Sequence, residues 1–174
     1  PDTDTSVQAA DYTASALKVS AQVEWFEQNI LIPGTLRQVP TDPLYTDQWH
    51  LNGNGGRDNI DVESAWNSGY DGSGVTIAIV DNGLQRVHTD FSNKYSAAAS
   101  HDFRDNDDDP SPNTASDFHG TSVAGVAAAD DNSTCGAGVA YNATVSGLRQ
   151  DASWIDIIND SQILSWRVDL NDIY

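Results

Sequence analysis

A carboxylate follows one patterned segment of the sequence, and an imidazole precedes another. Asp81 follows the apolar run Val-Thr-Ile-Ala-Ile-Val at 75–80 and precedes an Asn-Gly turn. His119 directly precedes a stretch of small and apolar residues at 120–129. A carboxylate that orients an imidazole prepares that ring for general acid–base chemistry. The two residues are therefore candidate catalytic groups, and the simpler interpretations are a turn cap for Asp81 and a structural histidine for His119.

The segments around these two residues predict the elements that would position them. An unbroken run rich in β-branched residues, such as 75–80, is typical of a strand covered on both faces in a parallel sheet. Ligand chemistry in such sheets gathers at the carboxyl ends of the strands, where Asp81 lies. A similar run at 143–148 predicts a second parallel strand. The small residues at 120–129 predict a buried helix that packs closely on the sheet, so the sequence favours an α/β fold.

Weaker patterns predict the remaining elements. Residues 59–68 are typical of a short helix that stops at Gly69, and residues 152–168 predict one amphipathic helix. Residues 171–174 read as the beginning of another strand. Near the start of the chain, residues 23–32 alternate imperfectly like a strand that Pro33-Gly34 would end. The two prolines that follow, in 35–43, indicate a linker.

The composition excludes some classes of function. The formal net charge is −18 and the pI is near 4.1, and such an acidic chain would repel nucleic acid. No apolar run reaches the roughly 18 residues that a membrane span needs, so no membrane-spanning segment is expected. The acidity suits a secreted, salt-exposed or calcium-binding protein, or simply a soluble surface.

A dense acidic segment raises the question of metal binding. Five aspartates fall within residues 102–109, and they repel one another unless a cation neutralises them. Carboxylate oxygens on a flexible loop suit Ca²⁺. Considered alone, this segment is more typical of a solvated acidic loop.

Two motifs together resemble a known family of enzymes. The segments 79–83 and 119–125 resemble the aspartate and histidine boxes of the subtilisin-like serine proteases. Segments 42–44, 48–51, 74–75 and 135–143 resemble the kexin and furin branch of that family. The resemblance covers roughly residues 40–149. It implies a subtilisin-like parallel sheet flanked by helices, here incomplete, and hydrolysis of peptide bonds by an Asp-His-Ser triad that includes Asp81 and His119.

The resemblance also implies a division of the chain. Residues 23–32 resemble the last strand of a subtilase propeptide, so we expect residues 1–40 to be the end of a propeptide with its linker, and Arg37 is a candidate cleavage point. Residues 41–174 would then be the N-terminal part of a catalytic domain. No nucleophile box is present, because the single Gly-Thr-Ser at 120–122 belongs to the histidine box and Ser122 is not expected to attack substrate. We expect the family's serine beyond Tyr174 and this fragment to be inactive alone.

Two calcium sites are implied by the same resemblance. The first would use Asp42, Asp90 and Asn132 with backbone carbonyls around Ala129, Thr134 and Gly136, although the loop 125–135 is one residue shorter than in the family. The second would use three aspartates of the acidic segment, which reverses the solvated interpretation given above: Asp102, Asp107 and Asp109.

Two further positions follow from the comparison with the convertases. Asn82 occupies the position at which convertases carry a second aspartate, which helps to recognise a basic side chain of the substrate. A strict preference for substrates with paired basic residues is therefore not expected. Cys135 is the single cysteine of the chain and forms no internal disulfide. The resemblance places its disulfide partner beyond Tyr174, so Cys135 is expected to be a free thiol within these residues, and the simpler interpretation is a buried structural thiol.

The leading hypothesis is therefore a calcium-stabilised serine endopeptidase that is secreted or at the cell surface. Its partners would be a protein or peptide substrate and its own propeptide. One alternative is a non-catalytic calcium-binding scaffold or interaction fragment. A second alternative is a metal-dependent hydrolase that would use five residues: His88, Asp90, His101, Asp102 and His119.

Overall fold

A three-stranded parallel sheet organises the structure, which is a computed structural model that describes residues 39–150 and 161–174. The strands are β1, Thr76–Asp81, β2, His101–Asp102, and β3, Thr144–Arg149. Their order in the sheet is β1-β3-β2, so β3 is central. Asp81 pairs with Arg149 in β3, and Asp102 pairs with the same residue from the other side. The predicted α/β fold with a parallel sheet is confirmed, and both predicted strands are displaced by only one residue.

Helices flank this sheet, as the sequence predicts. They are α1, Trp49–Asn52, α2, Val62–Asn67, and α3, His119–Ala128, with single 3-10 turns at Tyr45–Asp47 and Ala97–Ala99. The helix α3 begins at His119, one residue earlier than predicted, and it is not buried throughout, since Val123 and Val126 are exposed. The helix α2 is shorter than the predicted 59–68 because Asp61 has a φ of +52° and donates its backbone N–H to Asn59 Oδ1 at 2.8 Å.

The segment 161–174 differs from its sequence prediction. Residues 161–163 are helical and turns follow, so the helix predicted over 152–168 ends early within the described residues; 151–160 lie outside them. The Ser165 hydroxyl donates to the Ser161 carbonyl at 2.7 Å, and Arg167 has a φ of +48°, which a right-handed helix does not accommodate. The strand predicted at 171–174 is limited to one parallel bridge between Ile173 and Ile77 of β1.

The core that fixes the position of β1 lies between the sheet and α3. Buried residues of β1 and β3, such as Ile79 and Val145, share one cluster with Ala124 and Ala128 of α3. Within β1, only Ala78 and Ile79 are fully buried. A second cluster packs α1 and α2 against the loop that precedes β3; it comprises Tyr45, Leu51, Val62, Trp66 and Ala137.

Some predictions concern parts of the chain beyond these elements. The strand at 23–32 and Arg37 lie outside the described residues, so the propeptide assignment of 1–40 stays a prediction. None of the helices in the described ranges combines the length and the apolar character that crossing a membrane requires.

Candidate active site

Asp81 and His119 meet at the carboxyl end of β1. The distance between His119 Nδ1 and Asp81 Oδ2 is 2.8 Å. The Asp81 side chain is only 17% exposed, whereas the His119 side chain is 70% exposed. The partly buried carboxylate thus orients the ring through Nδ1, and Nε2 is left for a reacting group. This is the geometry that a general acid–base histidine requires.

Backbone hydrogen bonds fix the Asp81 carboxylate. The N–H of Asn82 donates to Asp81 Oδ1 at 2.7 Å, while Oδ2 faces His119. The N–H of Gln150, just after β3, donates to the Asp81 carbonyl at 2.9 Å. The segment that ends β3 is therefore hydrogen-bonded to the end of β1. Each oxygen of the Asp81 carboxylate has a separate partner.

The first turn of α3 packs directly on this strand end. The N–H of Gly120 donates to Asn82 Oδ1 at 3.2 Å. A Cβ atom at residue 120 would lie 2.5 Å from the Gly83 carbonyl oxygen and 2.7 Å from Asp81 Cβ. Only glycine lets the helix approach so closely, so the residue after His119 determines how near the imidazole comes to the carboxylate. The sequence indicated small residues here but not which of them makes the contact.

The other candidate residues of a hydrolytic site lie apart from this pair. The Ser122 hydroxyl donates to the Phe118 carbonyl at 3.1 Å, one turn back along α3. The His101 ring stacks on Trp166 with ring centres 4.2 Å apart, and its Nδ1 lies 3.2 Å from Asp108. The structure therefore does not bring together the five residues that the metal-dependent alternative would need.

An open groove runs beside the start of α3. Its volume is about 540 Å³, and its walls include exposed apolar side chains at Val87 and Phe118, as well as Pro112. The carboxylate of Asp117 adds one charged group. Phe118 and Thr121, on either side of His119 in the sequence, both line this groove.

Two residues of the first predicted calcium set are buried carboxylates. Asp42 is 3% exposed and Asp90 is 4% exposed. The Asn132 side chain donates to Asp90 Oδ1 at 3.2 Å, and its backbone N–H lies 3.4 Å from Asp42 Oδ1. Burial, and the nearby Asp131 carboxyl group, raise the pKa of Asp42. In the described part of the chain Asp42 Oδ2 is buried without a hydrogen-bond partner, so these residues fit a cation with oxygen ligands.

The loop that carries Asn132 also contains the other predicted ligands. The N–H of Thr134 donates to Asn132 Oδ1 at 2.9 Å, and the N–H of Leu44 donates to the carbonyl of Cys135 at 2.7 Å. The carbonyls of Thr134 and Gly136 therefore lie on a segment that is hydrogen-bonded to the residues next to Asp42.

The second predicted calcium set has partners within the protein. Asp102 is buried and pairs with Arg149 Nη1. Asp109 pairs with Arg86 at 2.9 and 3.0 Å, and this guanidinium holds the pKa of Asp109 well below its usual range. Asp107 Oδ1 accepts the Asp109 backbone N–H at 2.8 Å. Within the described residues these three carboxylates are not gathered around one point.

Sequence reasoning missed the role of Arg149. This buried side chain bonds Asp105 at 2.9 Å as well as Asp102, and its Nε donates to the Asn82 carbonyl at 3.2 Å. Arg149 therefore links the acidic segment to the residue that follows Asp81. The available signal was a lone arginine at the end of an apolar strand, a position where only a paired charge is tolerated.

Comparisons with known proteins agree with this geometry. The sequence pattern of the subtilase family matches residues 72–171 of this chain. Furin of Homo sapiens is 42% identical over 142 residues, which are 78% of this chain and 18% of furin. Proprotein convertase subtilisin/kexin type 4 of Mus musculus is 43% identical over 156 residues, which are 86% of this chain and 24% of that protein.

Solved structures show the same likeness. A serine protease of Aeromonas sobria, crystallised in complex with its chaperone, superimposes with a TM-score of 0.61 at 29% identity. The match covers 73% of this chain and 23% of that protease. The chain thus spans 18–24% of the length of these three proteins. Because the family match covers more than half of the chain and includes both Asp81 and His119, the chain belongs to the subtilase family of serine proteases.

Proposed function

We propose that this chain is the N-terminal part of the catalytic domain of a calcium-stabilised serine endopeptidase, in which Asp81 and His119 are two members of an Asp-His-Ser triad. The observation that carries the proposal is the 2.8 Å hydrogen bond between His119 Nδ1 and Asp81 Oδ2. The partly buried carboxylate and the exposed ring have the environments that these two roles require.

The proposed mechanism assigns one task to each group. His119 Nε2 takes the proton of a serine hydroxyl as that oxygen attacks a peptide carbonyl, and it then gives the proton to the leaving amine. Asp81 keeps the ring in the required tautomer and stabilises the imidazolium without itself being protonated. The serine belongs to a segment beyond Tyr174, so residues 1–174 alone are expected not to hydrolyse peptides.

We assign the calcium ion to Asp42, Asp90 and Asn132, with the carbonyls around Ala129, Thr134 and Gly136. The two buried carboxylates support this assignment, since they need a cation to offset the cost of burying their charges. A second ion at Asp102, Asp107 and Asp109 would require Arg149 and Arg86 to release their carboxylates. The first site is therefore the stronger of the two.

The substrate of this enzyme would be a protein or peptide that lies in the groove beside Phe118. Residues 1–40 would be the end of its propeptide, and that segment would be a second partner. A secreted or cell-surface location suits the net charge of −18 and the similarity to furin.

The proposal is tested with a fluorophosphonate probe, which labels an activated serine, on the protein extended beyond Tyr174. We expect labelling of the extended wild type, loss of labelling in His119→Ala, and no labelling of residues 1–174. Ser122→Ala tests the one serine beside His119 on the same helix turn, and labelling that is retained in this variant shows that Ser122 is not the labelled serine. Labelling that persists in His119→Ala would refute the proposed role, and an extended protein that binds calcium without being labelled would favour the scaffold alternative.

A further inference from the structure

We infer that Arg149 is a positioning residue for the Asp81–His119 pair and acts through Asn82; this inference rests on the proposed function. The side chain of Arg149 is fully buried, and its Nε donates to the Asn82 carbonyl at 3.2 Å. The N–H of Asn82 in turn donates to Asp81 Oδ1 at 2.7 Å. Arg149 therefore holds the residue that fixes one oxygen of the proposed catalytic carboxylate, while the other oxygen faces the His119 ring.

The main chain around Arg149 holds the same strand end. Arg149 pairs with Asp81 in the parallel register of β1 and β3, and the N–H of Gln150 donates to the Asp81 carbonyl at 2.9 Å. The end of β3 thus contacts two consecutive residues, Asp81 through its backbone and Asn82 through the Arg149 side chain. Asn82 Oδ1 also accepts the Gly120 N–H at 3.2 Å. A shift of Asn82 would therefore disturb both the carboxylate and the first turn of α3.

The orientation of the guanidinium group supports this role. Its Nη1 contacts both acidic partners, Asp102 and Asp105. Its Nη2 is buried and has no hydrogen-bond partner among the described residues. An arginine oriented by its ion pairs alone would present two nitrogens to one carboxylate, because the bidentate arrangement is the stronger one. The observed orientation instead directs Nε at the Asn82 carbonyl and leaves Nη2 over.

The buried ion pair has a geometric consequence rather than a large effect on stability. The side chain of Asp102 is only 1% exposed, so both charges of the pair have left water. The attraction between two buried charges does little more than offset their desolvation, so such a pair contributes little net stability. It does fix the planar guanidinium in one place, and a planar group fixed at Nη1 has its Nε fixed as well.

The test compares Arg149→Lys with the wild type in the protein extended beyond Tyr174, by steady-state kinetics on a peptide substrate. Lysine keeps a positive charge for the two carboxylates but has no donor at the position of Nε. We expect kcat to fall by about 10- to 100-fold with KM nearly unchanged, because a small displacement of Asp81 misaligns the imidazole without altering how substrate binds.

Two comparisons separate positioning from a purely structural role. Arg86→Lys is the matched control, since Arg86 pairs with Asp109 of the same acidic segment, and it should keep the wild-type kcat. In an Asp81→Asn background, Arg149→Lys should change kcat by less than about twofold, because residues that act as a unit do not have additive effects. A substitution that merely loosened the fold would lower kcat by the same factor in both backgrounds.

Circular dichroism establishes which variants are folded. A wild-type kcat in folded Arg149→Lys, or an equal loss in the Asp81→Asn background, would overturn the inference. If Arg149→Lys does not fold, Asp105→Ala decides the question, because it removes only the partly exposed partner of Arg149. It should lower kcat several-fold at constant KM, and an unchanged kcat would overturn the inference as well. Full activity in Asp81→Asn would instead contradict the proposed function.

Discussion

At the scale of single residues, the candidate site depends on both oxygens of one carboxylate. Asp81 Oδ1 accepts a backbone N–H from Asn82, while Oδ2 faces the His119 ring. Both contacts require an acceptor, and a side-chain amide offers only one. Asparagine at residue 81 would therefore place its amide N–H group against either the Asn82 N–H or the imidazole. In the second arrangement Nδ1 of His119 would have to accept a hydrogen bond, which is the wrong ring tautomer.

This reasoning predicts the effect of Asp81→Asn in the protein extended beyond Tyr174. We expect kcat on a peptide substrate to fall by about 10⁴-fold, with the fold retained, because the misoriented ring cannot take the serine proton. Steady-state kinetics and circular dichroism measure the two effects. Asp58→Asn, at an exposed carboxylate, is the control and should keep full activity. A kcat near the wild-type value in Asp81→Asn would remove Asp81 from the mechanism.

A second carboxylate, Asp71, links two loops and makes stability depend on pH. Although partial burial opposes its ionisation, hydrogen bonds from Ser73 N–H at 2.9 Å and Asn142 Nδ2 at 2.8 Å lower the pKa of Asp71. A folded-state pKa below the unfolded value of about 3.9 stabilises the protein above that pH. This stabilisation is lost as the pH falls through the folded-state pKa.

We therefore expect Asp71→Asn to lower the free energy of unfolding by about 1 kcal/mol at neutral pH. The difference from the wild type should shrink as the pH falls from about 5 toward 2, since both forms are then uncharged at this position. Urea denaturation of the two proteins across this range measures it. A difference that stays constant with pH would show that the Asp71 charge is not involved.

At the scale of elements, the contact between α3 and β1 sets the geometry of the site. Gly120 lies against Gly83 and Asp81, so the helix can reach the strand only without a side chain there. By contrast, a Cβ at Gly125, further along the same helix, would meet nothing within 4 Å. The two glycines of α3 thus serve different purposes.

Substitution of each glycine by alanine separates packing from helix propensity. We expect Gly120→Ala to lower the free energy of unfolding by about 1–3 kcal/mol, because the new methyl group overlaps the end of β1. Gly125→Ala should raise it by about 0.5–1 kcal/mol, because alanine is the better helix former in open space. Urea denaturation of both variants provides the comparison, and equal effects of the two substitutions would contradict the packing argument.

The sequence predicted those features that local patterns encode. An apolar run ending in Asp81, and small residues starting after His119, were sufficient to predict a strand and a helix, whereas the pairing of Asp81 with His119 followed only from the resemblance to the subtilisin-like proteases. The ion pairs of Arg149 were not predictable, because its partners Asp102 and Asp105 lie in a distant segment that only the folded sheet brings near.

At the scale of the whole molecule, excess negative charge limits stability. The formal net charge is −18, and two carboxylates of the proposed calcium site are almost fully buried. Mutual repulsion destabilises a compact state of such charge, and burial adds a desolvation cost. A cation that binds only the folded state offsets both effects.

Calcium is therefore expected to raise the melting temperature of residues 1–174. At a free concentration about 100 times the Kd the stabilisation is about 2.7 kcal/mol, which corresponds to a rise of about 5–10 °C. Scanning calorimetry with Ca²⁺ or Mg²⁺ at equal ionic strength separates the rise in melting temperature that is specific to Ca²⁺ from the general effect of a divalent salt. Asp42→Asn should reduce the rise, whereas Asp108→Asn, at a side chain that is 87% exposed, should keep it. The same melting temperature with and without millimolar Ca²⁺ would exclude the site.

The strand order β1-β3-β2 also has a consequence for how the chain acquires its shape during synthesis. The middle strand is the last of the three to leave the ribosome, so β1 and β2 emerge before their shared neighbour exists. Pairing of Thr76 with Thr144 closes a long loop, and such closures slow folding. A nascent chain whose residues 144–149 are still inside the ribosome would therefore expose both outer strands to proteolysis, while one long enough to release Arg149 would be the first able to protect them.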